Sequence, residues 1–293
     1  MDRRKRILAE APCKLNLHLR AGRRRKDGYH EIESVFQLIS VYDSLSVEET
    51  GAPGSCTVVC PDMPLPPDNT VARAVSAFRK KTGAGAGVEI RLQKRIPAGA
   101  GLGGGSSDAA AVLRALDRLF DTRLSARELA DLALETGSDC PFFLDGRPAL
   151  VSGRGEVIRP LASPARHSGI LIWPGVFSGT KEAYRLLDAS RAAGEPEEEA
   201  AFPLAEEYLR PPSAWRFFNS FTGPVGRAHP EIPAALEDLR RQGADFCGMT
   251  GSGSAVFGIF SAEDAEARAF AVLAAKWKCS FRFFFLAFSP ALA

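Results

Sequence analysis

The absences in this chain narrow its function before any motif is considered. No apolar stretch approaches the roughly 20 residues that cross a bilayer, and no long apolar segment follows the charges of the N-terminal MDRRKRILAEAPC, so no signal peptide is expected. Cysteines are few and scattered, at 13, 56, 60, 140, 247 and 279. With neither a C-x-x-C pair nor a Cys/His zinc spacing, they predict reduced, mostly buried thiols and no structural metal. Charge of one sign is missing as well: 37 Lys and Arg against 35 Asp and Glu leave +2, too little to drive general association with nucleic acid or an anionic membrane. Two basic runs, residues 3–6 and 23–26, read as a solvated terminus and a solvated loop. The expectation is a cytoplasmic protein acting on a small molecule, with no nucleic-acid or membrane partner, as a monomer or homodimer.

The order of elements predicts an α+β protein. Residues 11–20 alternate, with Cys13, Leu15, Leu17 and Leu19 on one side and Lys14, Asn16, His18 and Arg20 on the other. The bland reading of that second side is a solvent-facing polar edge. Residues 33–39 and 44–49 read as further strands. Asp68-Asn69-Thr70 starts a helix with the apolar stripe Val71, Ala74, Val75 and Phe78. Ser125 and Glu128 form a capping box for another helix, which Gly137 ends. Residues 142–144 and 149–151 suggest a hairpin across Asp145-Gly146, which would leave Asp139 in a helix-to-strand loop. Prolines at 160 and 164 mark a change of texture, so the chain is divided at 160 into an N-terminal domain (1–160) and a C-terminal one (161–293). Residues 189–200 lack apolar periodicity and read as a mobile connection. Beyond them, helix 230–242, strands 245–249 and 254–260, helix 262–276 and strand 280–288 suggest a small α/β sandwich. The phenylalanine-rich end reads as a buried strand.

The most informative stretch is IPAGAGLGGGSSDAAAVLRAL, residues 96–116. A strand at 88–92 leads into the turn at Pro97, and five glycines follow: Gly99, Gly101, Gly103, Gly104 and Gly105. A helix starting at Ala109 then carries Val112, Leu113, Leu116, Leu119 and Phe120 on one face. Glycines let backbone N–H groups close on a ligand, and a helix N-terminus adds unpaired donors and a positive dipole, so this is a phosphate cradle. A Walker A loop is excluded, because no lysine follows the glycines. Gly99, Gly101 and Gly104 match G-x-G-x-x-G, but two more loop residues follow the third glycine and the nearest acid, Asp121, sits at a helix end.

The run PAGAGLGGGSSDAA resembles the phosphate loop of the GHMP kinases. Its triple glycine before Ser-Ser is most similar to the branch acting on 4-diphosphocytidyl-2-C-methyl-D-erythritol. APCKLNLHL, KDGYHEIES, TGSDCPFFL, PGVFSGTKEAY and GMTGSGSAVFGIF resemble further motifs of that branch, in family order. The resemblance implies a two-domain fold, with an N-terminal domain like that of a ribosomal protein and a ferredoxin-like α/β sandwich after it. It implies ATP with Mg2+ and phosphorylation of the substrate's 2-hydroxyl.

It also implies roles for individual residues. Lys14 and Asp139 would be catalytic, the lysine keeping the base ionised. ATP would contact Pro97, the five glycines, Leu102, Ser106 and Ser107, with Asn69 and Lys94 flanking the adenine. Asp108 stands where asparagine is often seen, and would face the nucleotide or cap the helix. Asn16, Tyr29, His30, Phe36, Thr180 and Tyr184 would hold the substrate, with residues 23–26 attracting its diphosphate. Thr180 and Tyr184 could equally be a helix cap and a packed helix residue. No carboxylate cage for magnesium is evident, leaving Ser106 or Ser107 to touch it. FFNSFTGPV departs from the family pattern and leaves Asn219 unassigned. The rivals are a GHMP kinase for a different alcohol, and an RNA-binding protein resting on the basic run 23–26.

Overall fold

The structure is a computed structural model that describes residues 5–26, 28–162, 167–195 and 202–286. The expectations at residues 3 and 4, Asp27, Pro164, 196–200 and 287–288 therefore lie outside it. The alternating N-terminal pattern forms two long antiparallel strands, β1 (Arg6–Arg24) and β2 (His30–Thr50), whose register sets Lys14 opposite Leu38 and Asn16 opposite Phe36. Bulges at 12/13 and 16/18 interrupt the strict alternation. The other edge of β2 pairs with β4 (Gly87–Gln93) through residues 44–50 and with β5 (Ala149–Gly153) through residues 32–36. β3 (Cys56–Val59) lies parallel to β4, and β6 (Val157–Pro160) antiparallel to β5.

Helices α1 (Thr70–Thr82) and α2 (Gly104–Phe120) cover this sheet, and α3 (Ala126–Thr136) packs on both helices. Val47, Ile90 and Leu92 meet Phe78, Val112 and Leu116 in the core, and each such buried side chain contributes about 1.5–3 kcal/mol. Helix α2 begins at Gly104, five residues before the start read at Ala109. Its small residues 109–111 are all buried, so the helix approaches its neighbours closely on more than one side. Residues 142–144 are helical, not a strand: they lie in α4 (Cys140–Asp145), whose first turn contains Pro141 and whose end is Gly146 in the left-handed region. The hairpin is instead β5–β6.

The second sheet joins β7 (Ser168–Ile172), β8 (Phe246–Met249), β9 (Val256–Phe260) and β10 (Ser280–Phe284) in the antiparallel order β10-β7-β9-β8. That is the order of a ferredoxin-like unit. Its helices are α5 (Thr180–Ala192), α6 (Leu204–Tyr208), α7 (Thr222–Ala228), α8 (Glu231–Arg241) and α9 (Glu263–Lys276). Residues 189–192, read as connection, are the last turn of α5. In β10 only Phe283 is fully buried while Phe284 is 59 % exposed, so the aromatic end covers one face rather than forming a buried strand throughout. Two cysteines, Cys13 and Cys140, are buried and the other four are not, against the expectation for most of them.

The two sheets share a core in which Leu15 and Leu17 of β1 meet Phe217, Phe257 and Phe283. Leu19 N donates to Phe218 O and Ser220 N to Leu19 O, at 2.8 and 2.9 Å. This pairing, with the glycine loop that accepts from Lys14 N at Leu102 O, overturns the solvent-facing reading of the polar side of β1: Lys14, Asn16 and His18 are 4, 2 and 1 % exposed. Among the described residues no helix is long and apolar enough to cross a membrane.

Candidate active site

The glycine loop between β4 and α2 is clamped by a second glycine turn, between β8 and β9. Gly101 has φ +78°, and a Cβ there would stand 2.2 Å from Thr250 O. A Cβ on Gly251, at φ +57°, would stand 2.7 Å from Gly101 Cα. Only two bare backbones can approach so closely. Asn219 secures the second turn: its Nδ2 donates to Met249 O and Gly251 O, both at 2.8 Å, and its Oδ1 accepts from Phe221 N. The residue left unassigned by sequence is thus a staple beneath the loop.

In the first turn of α2, Ser106 N and Ser107 N share Gly103 O, while the amides of Gly104 and Gly105 precede any intrahelical acceptor. Those donors and the helix dipole make an anion seat. The Ser107 hydroxyl is not part of it: Ser107 is buried and donates to Pro12 O at 2.7 Å. Of the two serines, Ser106 alone lines the cavity.

Asp108 does not cap the helix. With Asp43, a residue the sequence did not flag, it grips Lys94, whose Nζ lies 2.7 Å from Asp108 Oδ2 and also donates to Asp43 Oδ2. Burial alone would lower the Lys94 pKa, but Asp108 and Asp43 outweigh it and hold it up. Asp43 Oδ1 meanwhile accepts from Arg95 N and Ile96 N, fixing the strand exit into the loop. Asp108 Oδ1 is buried without a hydrogen-bond partner. Burial pushes the Asp108 carboxyl up to about 7 despite the pull of Lys94.

Lys14 ties the remaining pieces together. Its Nζ donates to Asn16 Oδ1 and, at 3.2 Å, to Gly101 O; it lies 4.7 Å from the Phe36 ring centroid and 4.0 Å from Asp139 Oδ2. Burial lowers the Lys14 pKa, and Asp139 opposes that shift. Asp139 is the N-cap residue of α4, between two helices rather than between helix and strand. Its side chain makes no capping bond and is 31 % exposed, so its carboxylate stays available to a ligand.

The opposite end of the cavity is aromatic. The His30 ring stacks on Tyr184 at 4.7 Å, and Tyr184 meets Phe221 edge-on. Tyr29 is 58 % exposed, with the Arg154 guanidinium 5.0 Å above its ring. Thr180 is the first residue of α5 rather than its cap, and its hydroxyl shares a hydrogen bond with that of Ser252. In the basic run, Arg24 lines the cavity and Arg25 pairs with Glu31. Asn69 caps α1 through Ala72 N while lining the same space.

One cavity of about 1380 Å³ spans these parts. Of the residues read from sequence as ATP-binding, substrate-binding or catalytic, it is lined by all but Ser107. It also exposes Phe177 and Ser252, which lie inside two of the quoted motifs without having been assigned a role, and Arg154, Arg185 and Asp188, which carried no sequence signal. Among the described residues no three His, Cys, Asp or Glu side chains converge as a metal cage.

Comparison with known proteins follows the same two units. The GHMP kinases N terminal domain matches residues 69–147, and the GHMP kinases C terminal domain matches 207–279. A protein of Treponema pallidum named 4-diphosphocytidyl-2-C-methyl-D-erythritol kinase is 47 % identical over 274 residues, covering 91 % of this chain and 94 % of its own. One of that name from Anaeromyxobacter dehalogenans is 41 % identical over 263 residues, covering 87 % and 81 %. A crystal structure of 4-(cytidine 5'-diphospho)-2C-methyl-D-erythritol kinase superposes with a TM-score of 0.78 at 36 % identity, covering 95 % of this chain and 99 % of that one.

Proposed function

The chain belongs to the 4-diphosphocytidyl-2-C-methyl-D-erythritol kinase family of GHMP kinases, and on that premise we propose that it transfers the γ-phosphoryl group of ATP to the 2-hydroxyl of 4-diphosphocytidyl-2-C-methyl-D-erythritol. The observation that carries this reading is the Lys14–Asp139 pair, set between the glycine cradle and the aromatic end of one cavity. ATP phosphates occupy the amides at the start of α2, with the adenine toward Asn69 and Lys94. The pyrimidine lies toward Tyr29, His30 and Tyr184.

The acceptor is a tertiary alcohol, a poor nucleophile. Asp139 takes its proton as the new P–O bond forms. Lys14, anchored to the glycine loop through Gly101 O, keeps the base ionised and balances charge on the transferred group. Positioning accounts for most of the rate, and no covalent phospho-enzyme is required. The oxygen donors present suit Mg2+, which binds ATP phosphates with one or two protein ligands. The Ser106 hydroxyl, which faces the cavity beside the anion seat, is the group that would hold it, and when bound it supplies neutralisation of phosphate charge.

The protein is proposed to act on this small molecule in the cytoplasm, with domains dividing at 160. Phosphorus NMR of a reaction with Mg-ATP is expected to show a new phosphomonoester on the intact cytidine diphosphate substrate, coupled to ADP. Phosphate on a different hydroxyl, or ADP without a phosphorylated product, would contradict the reading.

A further inference from the structure

Beside the stacked His30–Tyr184 pair, the cavity wall carries a carboxylate with no part in the chemistry above. Asp188 follows Tyr184 by one helical turn on α5, so both line the cavity. Its Oδ2 lies 3.4 Å from His30 Nε2. The other ring nitrogen, Nδ1, donates to Gly22 O at 2.9 Å. That bond fixes the tautomer, because a carbonyl can only accept. With the ring uncharged, Nε2 turns its lone pair toward Asp188 and two acceptors face each other; with the ring charged, Nε2–H donates to Asp188 Oδ2.

We propose that Asp188 and His30 Nε2 together bind the exocyclic amino group of the substrate's pyrimidine, making Asp188 the residue that selects cytosine over uracil. This rests on taking the aromatic end of the cavity as the nucleobase end. An amino group carries two N–H bonds, one for each acceptor. Uracil presents a carbonyl at the same ring position, and its lone pairs would meet a carboxylate. A charged His30 would satisfy Asp188 Oδ2 itself but leave Oδ1 to the amino group, so the preference for a donor persists in either ring state. A site built around such hydrogen bonds rejects a ligand that cannot make them, because its polar groups are left unpaired. The Asp188 side chain is 42 % exposed, so its replacement leaves the core intact.

The test compares the unmodified protein with Asp188→Asn and Asp188→Ser. Turnover is measured on the cytidine diphosphate substrate and its uridine counterpart, and binding of cytidine 5'-diphosphate and uridine 5'-diphosphate by calorimetry. The unmodified protein is expected to prefer cytosine by about 100-fold or more. Both substitutions reduce that ratio at least about tenfold, Asn the more strongly because its carboxamide can donate to the uracil carbonyl. A ratio unchanged in both variants would overturn the inference, since a merely structural role lowers both ligands alike. Cytosine-selective binding that depends on Asp188, without turnover of the cytidine substrate, would sink the assigned reaction while upholding this inference. Turnover with selectivity indifferent to Asp188 would sink the inference alone.

Discussion

In the proposed mechanism Asp139 and Lys14 divide the chemistry between a proton acceptor and a buried cation, and each makes a separable prediction. The Asp139 side chain caps nothing but faces the buried Lys14, so Asp139→Asn is expected to lower kcat by about 10²–10⁴-fold with a small drop in thermal midpoint from the loss of that charge; a loss of activity matched by unfolding at the assay temperature would make the residue structural. Because burial lowers the Lys14 pKa from 10.5, its charge is lost at a lower pH than that of a free lysine. The alkaline limb of kcat/KM should fall below pH 10.5, and Lys14→Arg should move it upward in any active variant; a limb that stays in place would exclude Lys14 as its origin. Asp108 bears on stability. Its carboxyl titrates at 3.8 unperturbed and about 7 when buried, so the folded state holds a proton that the unfolded chain has released between those values. Stability from this group is full below 3.8 and is lost as pH rises through about 7. Asp108→Asn keeps an acceptor for Lys94 without that charge, so its thermal midpoint should gain on the unmodified protein as pH rises from about 4 to about 8. A constant difference would mean that the carboxyl does not titrate there.

At the scale of elements, the two glycine turns form a single device. Gly101→Ala or Gly251→Ala would force a side chain into a left-handed backbone and into the facing turn. The backbone strain alone is about 1–3 kcal/mol, and ATP affinity should fall with stability; a variant with unchanged thermal midpoint and ATP affinity would show that the close approach is dispensable. The phosphate loop was legible in sequence because glycine spacing and a following helix are local signals. The start of α2 was read five residues late because its first turn is built of glycine, serine and aspartate, which carry no apolar stripe. Residues 142–144 were misread because a short apolar run has no decisive period, and the meaning of Pro141 as a helix start depends on what precedes it. Asp43 left no trace, since its partner Lys94 lies 51 residues away.

Across the whole molecule, the ferredoxin-like unit completes the site as well as flanking it. It buries the polar side of β1, supplies Tyr184 and Thr180, and presses Gly251 onto the phosphate loop. Such contacts join distant segments, so a strand that alternates like a solvent-facing edge becomes the floor of a cavity. The matched motifs carried the identities of the lining residues; only the fold shows that Asn219 staples the second glycine turn, that the Thr250 hydroxyl donates to Gly101 O at 3.2 Å, and that Ser107 turns away from the cavity. The most direct measurement is ADP release with Mg-ATP and 4-diphosphocytidyl-2-C-methyl-D-erythritol, beside homoserine, mevalonate and galactose, for the unmodified protein and Asp139→Asn. Turnover confined to the cytidine substrate and lost in the variant is the predicted result. Turnover of another alcohol in preference, or full activity in the variant, would contradict the assignment of substrate or base.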